Sequence, residues 1–581
     1  MWLGGDLFHW FDWVVVAATL GASLAIGIYY ALKGNKSNED LLVGGRNMAV
    51  LPVAASVMAT YISAITVLGY PAEVYSFGGQ IIIHNIVSAI GVACSAFIFV
   101  PYFYKMKLTS INEYLEHRFD STLVRKLASF TFILQQITLS SVILYAPSLA
   151  LEAFLSFPVW LSILSVGLCS TIYTSVGGLK AVVFTDLFQS VMMVVGMVAI
   201  VIKGFSSVGG VGEAFRRANN GGRLNFIDTT FDPFMRHNIW NFLLGSTFYA
   251  VLQPAVQQLQ VQRYCSMPTL AKAKSVILCS VPFKLLTIGL CLLSGISIFA
   301  MYDGCDPFKL NKIKKVDQIV PYFVVEEMAS IPGMLGLFTA CILSAVLSSV
   351  SSALNSLAAV TWEDFLKGRK LFAEMTPTSQ ANTTRVIGFL YGVLIIMLAF
   401  LAQNLGALYS ATYAAFGATA GAIYGVFIVG MVFPKANAKG ATIGLVIGLG
   451  SMMLLSLTAF AKKKTLPHLP TSIDQCPQGN ITMIKSRTEP IEEMDRVLDM
   501  YLEKGNAEIK KSKNRPARVA TPKLICRLQQ EYQNKLWISD GNLGYKLKIA
   551  KLSLHDIKPT KLGVKSYKAT PAPKYNQGQQ K

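Results

Sequence analysis

The fold class that the sequence predicts is all-α: a polytopic membrane protein with about twelve transmembrane helices. Three observations predict it. Hydrophobic residues are 53% of the 581 and charged residues only 14%, where a soluble domain carries roughly 25%. Mean hydropathy is +0.47. Apolar runs of the ~20 residues needed to cross the hydrocarbon core recur along most of the chain. This composition excludes a disordered chain, which needs low hydrophobicity. The net charge of +20, from 52 Lys and Arg against 32 Asp and Glu, suits either basic cytoplasmic loops or a separate basic domain.

The expected spans are 10–32, 50–70, 81–104, 127–154, 159–177, 182–202, 238–261, 275–300, 332–361, 385–404, 406–433 and 440–461, numbered 1 to 12 here. Residues 1–9 lack a basic leader, so the first run reads as a span and not as a cleaved signal. Alternate loops carry the cations. Lys33, Lys36 and Arg46 follow span 1, and Lys105, Lys107, Arg118, Arg125 and Lys126 follow span 3. Arg263, Lys272 and Lys274 follow span 7, and Lys367, Arg369 and Lys370 follow span 9. The positive-inside rule makes that side cytoplasmic and places the N-terminus outside. Loops 203–237 and 301–331 are also basic and fall outside, but long loops follow the rule less strictly.

Spans 2 and 7 are the ones that break. Span 2 places Ser56, Thr60, Ser63 and Thr66 in an apolar run between Pro52 and Pro71, with Gly69 near its end. Span 7 sets Gln253, Gln257, Gln258, Gln260 and Gln262 around Pro254. Five amides are costly in lipid unless they face a polar path or each other. These two spans open consecutive five-span blocks, 2–6 and 7–11, the spacing of an inverted repeat with paired broken helices, where ions and solutes bind.

Span 9 carries Ser348, Ser349, Ser351 and Ser352. Hydroxyl and carbonyl oxygens are ligands for a hard cation; equally, such serines bond back to carbonyls one turn earlier. Asp186 in span 6 is either a functional intramembrane acid or a helix-dipole partner, with Gln189 on its face at i+3. Lys284 lies about ten residues into span 8, roughly 15 Å deep, and calls for a wet cavity or a carboxylate. In spans 11 and 12, Gly417, Gly421 and Gly425 and then Gly440, Gly444 and Gly448 repeat every four residues, a pattern that lets helices approach closely, with a hinge as the alternative.

After residue 461 the chain changes. Residues 462–581 hold 24 Lys and Arg against 11 Asp and Glu, a net +13, and no run long enough to span. The expected division is a membrane domain over 1–461, an extracellular loop-like segment over 462–485 and a basic tail over 486–581. The nine cysteines include no CxxC pair, so no zinc or redox motif is visible. No phosphate loop, nucleophile elbow or metal-ligand cluster appears, and an enzyme is not expected.

Several stretches, taken in order, carry a family resemblance: VGGR at 43–46, SAITVLG at 63–69 with EVY at 73–75, LTS at 108–110 with EYLE at 113–116, YAPSLA at 145–150, VGGLKA at 176–181 with Thr185 and Asp186, QVQRY at 260–264, and AAVTWED at 358–364. Over residues 8–485 the chain resembles a sodium:solute symporter of the subgroup holding the sodium-coupled monocarboxylate, multivitamin and iodide carriers. That resemblance implies a five-plus-five inverted-repeat core of the leucine-transporter type with flanking helices. It implies sodium as the coupling ion, held by backbone oxygens of Ala59, Ile62 and Ala345 and hydroxyls of Ser348 and Ser349. Asp186 and Gln258 match positions implicated in ion coupling. Tyr61, Ser63, Thr66 and Gln258 would face the substrate, with parts of spans 3, 7 and 11. Thr66 and the stretch GGRLNF at 221–226 lean towards monocarboxylate carriers.

The implied protein is a plasma-membrane symporter of a small organic anion. Its partners would be sodium, that anion and the bilayer, with no nucleic acid and no obligate protein partner. Multivitamin or iodide-like transport is the alternative, and a non-transporting sensor or inactive truncated form the second. Asn480 begins a glycosylation sequon, and Cys476 is a candidate disulfide partner of Cys305 in another outer loop. The chain departs from the family at Gln257, where relatives have Asn, and at Ala250, where they often have Trp. A thirteenth span is not found.

Overall fold

A computed structural model describes residues 8–33, 37–155, 159–232, 235–313, 315–401, 408–462 and 468–476. Asn480 and the whole 486–581 tail therefore lie outside the described residues. Helices dominate, and no strand occurs among the described residues.

Eight helices among the described residues are long and apolar enough to cross a membrane unaided. The other expected spans have physical reasons for not standing alone. Spans 2 and 7 are broken. Span 11 is the helix Leu408–Val432. Spans 5 and 6 form one run, Val159–Val208, with no loop between them. Fifty residues of straight helix would reach about 75 Å, far beyond a core of about 30 Å. The run turns at Gly178, whose left-handed backbone (φ 65°, ψ −163°) is closed to most side chains. A Cβ there would meet Leu41 at 2.6 Å, so the kink also seats the segment before span 2.

Span 9 (Met334–Thr361) is the axis of the bundle, and 25 of its 28 residues are buried. Span 1 (Trp10–Lys33) docks against its start. Asp12 accepts from the Gly336 amide at 2.7 Å and from the His9 amide at 2.9 Å. One carboxylate thus serves free N–H groups near the start of two helices. A Cβ on Gly336 would strike the Asp12 backbone at 2.6 Å, so the glycine is needed for the approach.

On the face that loop charge assigns to the outside, segment 468–476 closes over the second half of span 2. Cys305 and Cys476 form a disulfide. Asp306 takes hydrogen bonds from Tyr75 at 3.0 Å and Thr471 at 2.6 Å. The Leu469 amide donates to Ser76 at 2.8 Å. Arg223 is fully buried and donates to the carbonyls of Tyr75, Gly221, Leu469 and Pro470, with its guanidinium 3.9 Å over the Phe299 ring. On the opposite face, Asp364 is buried at the end of span 9. It accepts from Arg125, Ser110, Asn112 and Ser129.

Candidate ion and solute site

Span 2 is two helices, Val50–Tyr61 and Ala64–Phe77, joined through extended Ile62 (φ −108°, ψ 106°) and Ser63 (φ −102°, ψ 170°). A helix end leaves carbonyls without intrahelical donors. Span 9 meets that end with hydroxyls. Ser348 Oγ lies 3.4 Å from the Ala59 carbonyl and 3.2 Å from that of Ala345, and Ser349 Oγ lies 3.0 Å from Ala345 O. Of the five expected sodium ligands, Ser348 meets both Ala59 and Ala345, Ser349 meets Ala345 on its own helix, and Ile62 is the residue at the break. All five are buried. Each hydroxyl donates to a carbonyl here, but rotation about its C–O bond presents lone pairs instead. The donor set is all oxygen and uncharged, which fits a hard monovalent cation. The back-bonding alternative also holds, since Ser351 and Ser352 bond to the Ser348 carbonyl at 3.2 and 2.7 Å.

Asp186 is fully buried beside this cluster. Its Oδ2 accepts from Ser56 at 2.5 Å and from Arg263 at 3.0 Å. Arg263 also donates to Ser56 at 2.8 Å and Ser352 at 2.5 Å. Asp186 thus reaches the serines of span 9 through Arg263 and Ser352, while its Oδ1 is buried without a partner. Gln189 turns away and donates to Ser23 of span 1 at 3.2 Å. Ser56 and Ser352 are among the serines singled out in spans 2 and 9, whereas Arg263, expected as a cation of the loop after span 7, is instead buried and pairs with Asp186.

Span 7 is broken as expected, between Thr247–Val256 and Gln258–Cys265, with Gln257 extended (φ −76°, ψ 123°). Gln258 opens the second half, but its amide is fully engaged by the loop after span 3. It accepts from the Ile111 amide at 2.8 Å and donates to the Thr109 carbonyl at 2.6 Å. Among the described residues it makes no hydrogen bond to the serines of span 9 or to the break in span 2.

Tyr61, Ser63 and Thr66 are half-buried where most flanking residues of span 2 are buried. The Tyr61 hydroxyl is buried without a partner, and the Lys284 ammonium sits 4.6 Å over its ring. Lys284 donates to Ser88 at 2.5 Å and makes no ion pair with an acid among the described residues. A buried cation without a counter-charge is costly.

A cavity of about 750 Å³ opens between spans 2, 3, 7 and 11. Glu73, Arg236 and His237 line one part of it, and His84, Tyr249 and Tyr424 line others. Glu73 holds both Arg236, at 3.0 Å for the Oε2 contact, and His237, at 3.2 Å. Tyr61, Ser63, Thr66 and Gln258 do not line it. The glycines of span 11 do. Gly417, Gly421 and Gly425 form part of its wall, and a Cβ on any of them meets nothing within 4 Å among the described residues. The expectation that they seat a neighbouring helix is corrected. Span 12 instead approaches span 11 at Ala422, 3.5 Å from a Cβ on Gly448, and Ala422 points about 100° away from Gly421 on the helix.

A profile of the sodium:solute symporter family matches residues 41–448. The chain is 37% identical over 481 residues to sodium-coupled monocarboxylate transporter 2 of Mus musculus, covering 82% of this chain and 77% of that one. It is 40% identical over 446 residues to the sodium-dependent multivitamin transporter of Oryctolagus cuniculus, covering 76% and 69%. Among solved structures, a Na+-coupled sialic acid symporter in its substrate-bound outward-open state aligns with a TM-score of 0.68 and 26% identity, covering 80% of this chain and all of that one.

Proposed function

This chain belongs to the sodium:solute symporter family, and we propose that it carries a small organic anion, a monocarboxylate, into the cell together with sodium. It is a multi-pass plasma-membrane protein with a five-plus-five helical core. Sodium enters at the break of span 2, held by Ala59, Ile62, Ala345, Ser348 and Ser349. The observation that carries this reading is the contact of Ser348 with Ala59 across the two spans. A cation bound there joins span 2 to span 9 and favours the arrangement in which both are in place. Asp186 serves ion coupling from the second rank, through Arg263 and Ser352. Gln258 reaches an ion or solute only by exchanging its bonds to Thr109 and Ile111.

An anionic solute is supported by Lys284, which lacks a carboxylate partner among the described residues and lies against Tyr61 at the break. Ser63 and Thr66 offer hydroxyls on the same stretch. The membrane potential supplies about 2.3 kcal/mol per net charge per 100 mV, so accumulation follows from any excess of sodium over anion.

The test is labelled lactate or butyrate uptake in sodium against choline medium. Ser348→Ala with Ser349→Ala is expected to abolish the sodium-dependent part while surface protein is unchanged. An unaltered sodium-activation curve in that double variant removes the site assignment. Current without accumulation against a gradient removes the symporter reading in favour of a sensor.

A further inference from the structure

The loop ahead of span 7 carries exposed apolar side chains. Ile227 is 66% exposed and Phe231 76%. Apolar residues scattered singly over a surface need no explanation, but these two are held in a fixed place. The loop folds back on the first turn of span 7. The Ile239 amide donates to the Asp228 carbonyl at 2.9 Å, and the Trp240 indole donates to the Thr229 carbonyl at 3.0 Å. The side-chain amides of Asn238 and Asn241 donate to the Asp232 carbonyl at 2.6 and 3.3 Å. These bonds set residues 228–232 beside the start of the helix, at its height. Phe231 there meets Trp240 edge to face, with ring centroids 5.8 Å apart.

The neighbours of Trp240 show what the loop faces. Trp240, Leu243, Leu244 and Phe248 are all exposed, and positions three, four and eight apart share one helical face. On a membrane span such a stripe meets lipid. As straight helix, Ile239–Cys265 would reach about 40 Å, close to the roughly 40–45 Å of a bilayer with its headgroup regions. Trp240, at the outer end of the stripe, then falls at headgroup level, where tryptophan is enriched. Phe231 and Ile227 continue the same apolar surface sideways, off the helix and along the plane of the membrane.

We infer that the segment 227–232 is seated in the outer headgroup–acyl boundary of the bilayer, with Phe231 and Ile227 as the wedge and phospholipid as the partner. The inference is independent of what the chain transports. Two acids limit the depth. Asp228, whose carboxylate accepts from the Thr230 amide at 2.8 Å, and Asp232 flank the wedge. Charge is costly in hydrocarbon, so the insertion is shallow.

The seat bears on the core of the protein. Phe226 packs over Gly79, where an added Cβ would meet its ring at 2.6 Å, and the Gly79 amide donates to the Arg223 carbonyl at 2.8 Å. Beyond the loop, Arg236 and His237 hold Glu73 of span 2. The outer half of span 2 is thus tied to a segment that lipid keeps in place.

The experiment uses the full chain in phosphatidylcholine vesicles, with Cys94→Ser, Cys279→Ser and Cys526→Ser to confine labelling to one added cysteine. A nitroxide is placed at Ile227→Cys, at Phe231→Cys or, as an exposed reference on the preceding helix Val211–Asn220, at Asn220→Cys. Its collisions with oxygen, which partitions into lipid, and with a water-soluble nickel chelate are then measured. The ratio of oxygen to nickel collisions is expected to be several-fold higher at 227 and 231 than at 220. With Phe231→Asp added, the label at 227 is expected to lose that preference, because a charge lifts the wedge out. Either labelled position decides the matter if the other variant does not fold. Nickel access equal to that at 220 overturns the seat and returns the loop to water. Shielding from both reagents also overturns it, in favour of cover by protein. A label at 227 that ignores Phe231→Asp overturns the wedge.

Discussion

Asp186 and Arg263 form an ion pair with side chains 0% and 1% exposed, deep inside a membrane protein. Such a pair is coupled through desolvation: each charge is tolerable because the other is present. Removing either partner alone, as in Asp186→Asn or Arg263→Met, is expected to cost about 3–5 kcal/mol. The double variant is expected to lose less than either single one. Thermal unfolding of the detergent-purified protein reads this directly, and a double variant as damaged as the sum of the singles would show that the two do not act as a unit. The acid was legible in the sequence as an anomaly, because charge is rare in apolar runs. Its partner was not, because the two lie 77 positions apart and nothing local marks the meeting. Ser348 and Ser349 were legible to a point. Chemistry left them open between cation ligation and back-bonding, and both kinds of contact are compatible with where they sit.

At the level of elements, glycine has two opposite uses in this chain, and substitution separates them. Gly178 holds the turn between spans 5 and 6 with positive φ and with Leu41 against it. Gly178→Ala is expected to cost about 1–3 kcal/mol in backbone strain, before any displacement of Leu41, and to cut the yield of folded protein at the surface. The same change at Gly417 is expected to leave folding intact. A Gly178→Ala protein with wild-type yield and melting temperature would mean the run can turn elsewhere. The eight long apolar helices were legible as apolar runs, because burial in lipid imposes a length. The breaks in spans 2 and 7 were legible because hydroxyls, amides and prolines interrupt that run. The direction in which a helix faces was not. The four-residue glycine period looks the same whether a helix or a cavity lies opposite, which is why the strip on span 11 was misread as packing.

For the whole molecule, the outer rim ties together distant parts of the chain: its disulfide joins residues 171 positions apart. Cys305→Ser with Cys476→Ser is expected to lose about 2–4 kcal/mol and to raise hydrogen exchange first at 468–476, where Leu469, Gln475 and Cys476 donate backbone bonds. Unchanged melting and exchange would show that Arg223 and Asp306 hold the rim without it. By count the tail holds +13 of the net charge, and it lies outside the described residues. The rim also sets an order of assembly. Its parts come from residues 75, 223, 304–309 and 469–476, so a chain still on the ribosome cannot close it until position 476 has crossed to the oxidising side. Until that moment the second half of span 2 lacks the contacts that Leu469 and Thr471 bring to it and to Asp306. The bundle can thus be complete while this rim, whose closing segment follows every span in the chain, is still open.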